Sequence, residues 1–287
     1  MGKNALLCES ARQTAGALIF VRGTARCTRN QSRSERAMAR RASRILTVIL
    51  GVLGELMITA GLLIGGYLAW DLWWDSNAST AIANEHVAEF EQAIVAAPRV
   101  AGTVVTEGEP PPAKEEGKIA IEGDTIGILI VPKWYGLTEN KMPIRSGISD
   151  GVLNQAAAGH YPYTAMPGEV GNFSVAAHRR THGNSFRFIN KLVPGDQVIV
   201  ETADTWYIYE VTSYDIVLPD QVEVIAPVPG HPGEVPVDRM LTMTTCHSPT
   251  TGEWGNSHRW VTHAKLVGWM DRADGMPEQV LTDPGVK

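Results

Sequence analysis

Residues 45–70, ILTVILGVLGELMITAGLLIGGYLAW, limit what this chain can become more than any other stretch. They are apolar with one ionisable exception, Glu55. A helix needs about 20 such residues to cross the ~30 Å hydrocarbon core of a bilayer, where no water satisfies exposed peptide groups. A cleaved signal peptide has a shorter apolar region and a small-residue cleavage site, and neither is evident here. ARRASR precedes the stretch at 39–44, while Trp70, Trp73 and Trp74 follow beside Asp71 and Asp75. Basic residues stay cytoplasmic and tryptophans settle at the interface. A single-pass anchor in the cell membrane is therefore expected, N-terminus inside and residues from 71 onward outside. Glu55 has no partner base in this stretch and is read as a protonated or helix-paired carboxyl rather than a site.

Charge divides at the same place. Residues 1–44 carry ten Lys/Arg against two acids, so within an overall formal charge of −6 the remainder carries −14. An acidic outer part has no footprint for nucleic acid, which removes that class of partner. MARRASRILTVIL, from Met38, already reads as a complete anchor start, whereas residues 1–37 show no periodicity; translation is expected often to begin at Met38. Of the cysteines, Cys8 and Cys27 fall on the inner side and Cys246 on the outer side. Cys246 has no partner in its own compartment, which excludes a disulfide framework. A lone thiol outside the cell is either deeply buried or put to use.

Residues 71–118 read as a juxtamembrane helix and a linker. SNASTAIANEHVAEFEQAIVAA (76–97) opens with capping residues and sets Ile82, Val87, Phe90, Ile94 and Val95 at helical intervals. EGEPPPAKEEG (107–117) is Pro- and Glu-rich and is expected to extend as a stiff spacer. From about 119 the pattern turns to β, with TIGILIVP (125–132), NFSVAA (172–177), DQVIVET (196–202), TWYIYEVTSYDIVLP (205–219), RMLTMTT (239–245) and RWVTHAKLVGWM (259–270). One short helical candidate lies near 149–158. The expectation is an all-β domain over 119–272, a closed or nearly closed barrel, followed by a C-terminal tail at 273–287.

Strand alternation puts Thr242, Thr244 and Cys246 on one face and Leu241, Met243 and Thr245 on the other. Cys246 precedes the polar loop HSPTTGEWGNSH, and Arg259 opens the next strand. If those strands pair antiparallel, Cys246 and Arg259 meet at one rim of the barrel. A guanidinium there favours a thiolate and can donate to an oxygen that becomes negative. His178 ends the strand NFSVAAH, where a proton shuttle would sit. The spacing His178-x-x-x-His182, with Cys246 or His263, also permits zinc. Arg179 and Arg180 place two cations inside that ligand pair, so no metal and no cofactor is expected.

LTMTTC with an arginine opening the next strand, GNFSVAAHR, GDTIGILIVPKW and GHYPYTAMPGEVGN together resemble the sortase family, most closely the actinobacterial class E sortases. The resemblance covers about 120–270 and includes the N-terminal anchor. It implies an eight-stranded sortase-type β-barrel with short helices, preceded by a single transmembrane helix. It also implies Cys246 as nucleophile, His178 as general acid/base and Arg259 as oxyanion and substrate stabiliser, with Tyr161 and Thr245 as substrate-binding residues. The implied reaction is cysteine transpeptidation: cleavage of a C-terminal LAxTG- or LPxTG-like signal between Thr and Gly, then transfer to an amine of a peptidoglycan precursor. Its partners would be surface proteins bearing sorting signals, the wall precursor and, through residues 45–70, the bilayer.

Three alternatives stand beside this. L,D-transpeptidases carry a Ser-His-Gly-Cys run where this chain has Thr-Thr-Cys-His. A pilus-polymerising sortase would share the chemistry and join protein lysines instead. A non-catalytic membrane-tethered interaction domain would not need Cys246, His178 and Arg259 together.

Overall fold

The computed structural model describes residues 20–111, 113, 121–138, 140–249 and 255–283, with side chains from residue 35 onward. Residues 1–19, Cys8 among them, and the side chain of Cys27 lie outside that set. The chain forms two compact units, Met1–Ala69 and Trp70–Lys287.

Helix α1 spans Phe20–Ala93. It holds a window long and apolar enough to cross a membrane, with mean hydropathy 2.2 and no part of that window buried inside the protein. That is consistent with a single membrane anchor and unlike the helix of a soluble core.

In the second unit eight strands close into a barrel: β1 (Thr125–Ile130), β2 (Lys141–Ser146), β3 (Ala158–His160), β4 (Gly171–Ala176), β5 (Gln197–Glu201), β6 (Thr205–Val217), β7 (Arg239–His247) and β8 (His258–Asp271). Their order around the wall is β1-β2-β3-β4-β7-β8-β6-β5, and β5 returns to β1. The β2/β3 and β4/β7 pairs are parallel and the others antiparallel. Alternate residues such as Leu129, Val175, Val200, Tyr207, Met243 and Ala264 fill the interior. Each fully buried side chain of that size contributes about 1.5–3 kcal/mol.

A second apolar layer lies outside the wall. Ile128, Ile130, Ile199, Trp206, Ile208 and Met270 pack with Val87 and Phe90 of α1. This explains why 125–132 is continuously apolar rather than alternating: Leu129 faces in while Ile128 and Ile130 face the helix.

Three local expectations differ from what is found. The pattern gave no sign of β2 or β3, because Pro143 interrupts one and the other is only 3 residues long. The helical candidate near 149–158 contracts to Asp150–Leu153, and Ala158 already belongs to β3. The expected spacer lies, where described, along the barrel. Val105 exchanges backbone hydrogen bonds with Trp269, at 2.7 and 2.9 Å, and the Tyr207 hydroxyl donates to the Pro111 carbonyl at 2.6 Å. The tail is bound too: Ala101 bridges to Met276, and the Trp206 indole N–H donates to the Gly275 carbonyl at 3.0 Å. Val100, Val104 and Val105 among the prolines and acids let this segment pair. Residues 114–120 lie outside the described set.

Candidate active site

The site follows from the register of three adjacent strands. β7 pairs with β8 so that Cys246 stands directly opposite Arg259, with Thr244 opposite Val261 on the same face. Directly opposed residues have Cβ atoms about 4.5–5.5 Å apart. On the other side β4 runs parallel to β7, with Ala176 beside Thr244. Past the end of β4 the backbone stays attached: the Ala177 N–H donates to the Thr244 carbonyl at 3.2 Å, and the Thr245 hydroxyl donates to the Ala177 carbonyl at 2.7 Å. His178 follows Ala177, two residues past the last paired position of β4. Cys246 and Arg259 share one face, and His178 lies just beyond the end of the neighbouring strand. Leu241 and Met243 point into the core, so that face is the outer face of the wall near the strand ends.

Cys246 is a free, partly exposed thiol. Arg259 Nη1 donates to the carbonyls of Asn256 and His258, at 2.9 and 3.0 Å, which holds the guanidinium at the mouth of the 247–258 loop. His178 Nε2 lies 2.8 Å from Asn154 Oδ1. An amide oxygen only accepts, so Nε2 carries the proton and Nδ1 is left to take up and release another. Burial pushes the His178 pKa down, and the neighbouring His182 adds to this, while Asp150 and Asp75 oppose it. Burial therefore favours the neutral form of the ring.

The other predicted residues take definite places. Tyr161 follows β3, and its hydroxyl is 2.9 Å from Thr244 Oγ1, two residues before the thiol on the same face. Thr245 is 4% exposed, and its hydroxyl is committed to Ala177. The zinc alternative meets ring nitrogens already engaged: His182 Nδ1 is 2.9 Å from Asp75 Oδ2, and His178 Nε2 is held by Asn154. His263 Nδ1 is 2.9 Å from the Thr242 hydroxyl.

Several contributing residues carried no signal in the sequence. Asn154 ends a short helical turn and looks like any loop residue until the fold sets it against His178. Arg179 and His247 are the immediate successors of His178 and Cys246. Arg179 Nη1 donates to His247 Nδ1 at 2.6 Å, and the pair is buried against Trp260. This contact ties the two site strands on the face opposite the thiol. It requires a neutral His247, whose pKa burial lowers, helped by Arg179 and His258.

A sortase domain matches residues 131–267. The chain is 35% identical over 245 residues to sortase SrtE2 of Streptomyces coelicolor, covering 82% of this chain and 88% of that one. It is 33% identical over 237 residues to sortase SrtE1 of the same organism, covering 80% of this chain and 60% of that longer relative. The solved SrtA sortase of Actinomyces oris superposes with a TM-score of 0.59 at 56% identity, over 64% of this chain and all of that one. An eight-stranded closed barrel and an identity of 35% to a relative matched over most of its length lead to one conclusion: this chain belongs to the sortase family of transpeptidases, with class E sortases among its relatives.

Proposed function

We propose that the chain is a membrane-anchored cysteine transpeptidase that cleaves an LAxTG- or LPxTG-like C-terminal signal between Thr and Gly and attaches the protein to a peptidoglycan amine. The observation that carries this reading is the Cys246–Arg259 opposition across β7 and β8, with His178 two residues past the end of the neighbouring β4. The Cys246 thiol passes its proton to His178 as the sulfur attacks the threonine carbonyl carbon, and the carbonyl oxygen takes up the negative charge. Arg259 meets that charge: among the described residues its partners engage Nη1, which leaves the Nε and Nη2 hydrogens to donate to the oxygen. The C–N bond then breaks, and the His178 imidazolium gives its proton to the leaving glycine amine. The resulting thioester accepts an incoming amine, His178 takes a proton from it, and the thiolate departs.

Tyr161, whose hydroxyl lies beside Thr244, reads the sorting signal in this scheme. Thr245 serves substrate binding through the Ala177 contact that seats His178. Residues 45–70 hold the protein in the membrane, N-terminus inside and barrel outside. The test is turnover of a fluorogenic LAxTG peptide by the full chain in detergent, with and without a glycine amine or a peptidoglycan-precursor amine. Cleavage lost in Cys246→Ala and raised by the amine supports the reading. Full turnover by Cys246→Ala overturns the enzyme reading, and indifference to amines overturns transfer. Preference for a protein lysine would favour pilus polymerisation.

A further inference from the structure

The loop after His178 is pinned against α1 in a way that barrel closure does not require. His182 Nδ1 meets Asp75 Oδ2 at 2.9 Å, and the His182 ring lies 4.9 Å from the His178 ring, tilted by 45°. His182, Gly183 and Asn184 all have left-handed backbones, at φ 48°, 87° and 57°. Successive left-handed residues are costly for side chains other than glycine and persist where surrounding contacts enforce them. Those contacts come from α1. The Asn184 amide donates to Ser76 Oγ at 3.5 Å, and a Cβ on Gly183 would run into Ala156 while crowding Thr80 Oγ1. The same helix face reaches the second support of His178, since His86 Nε2 is 3.1 Å from Gln155 Oε1, next to Asn154. Ser79 and Ala83 are buried along this face. Among the described residues, Asn154 and His182 touch the His178 ring; α1 holds His182 through Asp75 and reaches Gln155, the neighbour of Asn154.

We propose that the membrane-proximal part of α1 is a component of the catalytic centre. Asp75 fixes His182, and His182 sets the ring of His178, so both are positioning residues for the acid/base step. This rests on the reading above that His178 moves the proton. A carboxylate is the group suited to the task, because it accepts from the protonated Nδ1 and holds the ring at one rotamer. A catalytic ring misplaced by about 1 Å can cost a hundredfold in rate, so a modest release of His182 is measurable.

The experiment uses the full chain in detergent and the LAxTG peptide, with Asp75→Asn, His182→Gln, the double variant and Asp75→Glu. Glu91→Gln serves as the control, since Glu91 is on the same helix and pairs with Lys141 at 2.6 Å without touching the His178 loop. Each of the first two variants is expected to lower kcat about tenfold with KM little changed. The double variant is expected to be no slower than the worse single, because the two residues act as one unit. Asp75→Glu should recover part of the loss, and Glu91→Gln should match wild type. Wild-type kcat in both single variants overturns the proposal, as do additive losses or a change confined to KM. Should Asp75→Asn lose its melting transition, Asp75→Glu against wild type carries the same test, and equal kcat overturns it. A wild-type chain that leaves the peptide uncut overturns the proposed function instead. Alkylation of Cys246 by iodoacetamide, which needs no peptide, then decides: a several-fold rate change in Asp75→Asn supports the placement, and an unchanged rate overturns it.

Discussion

Replacing Thr245 with valine keeps the side-chain volume and deletes one donor. In the structure that donor is 2.7 Å from the Ala177 carbonyl, and Ala177 is 5% exposed, so water is poorly placed to substitute. An acceptor stranded in such a site costs about 1–3 kcal/mol. For a unit of this size that lowers the melting midpoint by about 3–8 °C. The catalytic consequence exceeds the thermodynamic one. Among the described residues, the two segments are otherwise joined beyond Ala176 by the 3.2 Å hydrogen bond from Ala177 N–H to the Thr244 carbonyl and, one residue past His178, by the Arg179–His247 contact. Loosening the Thr245 contact lets His178 drift from Cys246, and a shift of about 1 Å costs up to roughly a hundredfold in kcat. Thr245→Ser retains the hydroxyl and is expected to recover most of both losses. Differential scanning fluorimetry and peptide turnover on wild type, Thr245→Val and Thr245→Ser test this together. A valine variant as stable and fast as wild type refutes the reasoning, and so does a serine variant as damaged as valine.

Asn154→Ala removes the group that holds His178 Nε2–H; kcat in the peptide assay is expected to fall about tenfold with KM little changed, and an unaltered kcat would contradict the role. His247→Ala strips a buried guanidinium of its partner, at a cost of about 1.5–3 kcal/mol by chemical denaturation, and a variant as stable as wild type would contradict the bracing contact. Burial lowers the pKa values of His160, His178, His247 and His263 below the ordinary value of 6.5. The unfolded chain then binds more protons, so the stability from these rings is complete above about pH 6.5 and is lost as pH falls below it. Burial shifts the Glu201 carboxyl the opposite way, but Arg272 at 2.9 Å opposes that shift. The melting midpoint is expected to drop between about pH 7.5 and 5.5, and a flat or rising profile would contradict this.

How much could be read in the sequence depends on which contacts are local. β6, β7 and β8 are long and rich in β-branched or aromatic residues, and the shorter β1 is an unbroken apolar run, so they stand out. The Cys246–Arg259 opposition follows from a hairpin, where antiparallel pairing leaves little choice of register. β2 and β3 carry no comparable signal, since Pro143 and a length of 3 residues hide them, yet closure between β1 and β4 depends on both. Ala177 reaches Thr245 through a parallel pairing of segments 68 residues apart, which no local pattern encodes. Asn154 and Asp75 are ordinary polar residues in turn and helix contexts, and only the fold sets Asn154 against His178 and Asp75 against His182. Composition marks the Pro/Glu-rich segment as a spacer, whereas Val105 just before it pairs with Trp269 of β8 and Pro111 within it accepts from Tyr207.

The most direct test of the central claim is to trap the acyl-enzyme. The full chain is incubated with LAxTG peptide, quenched in acid and analysed by intact mass and peptide mapping. The account predicts a thioester carrying the peptide up to its threonine on Cys246, discharged by hydroxylamine, absent in Cys246→Ala and scarce in His178→Ala and Arg259→Ala. Cleavage without any adduct on Cys246, or an adduct that forms equally well without His178 and Arg259, would contradict it.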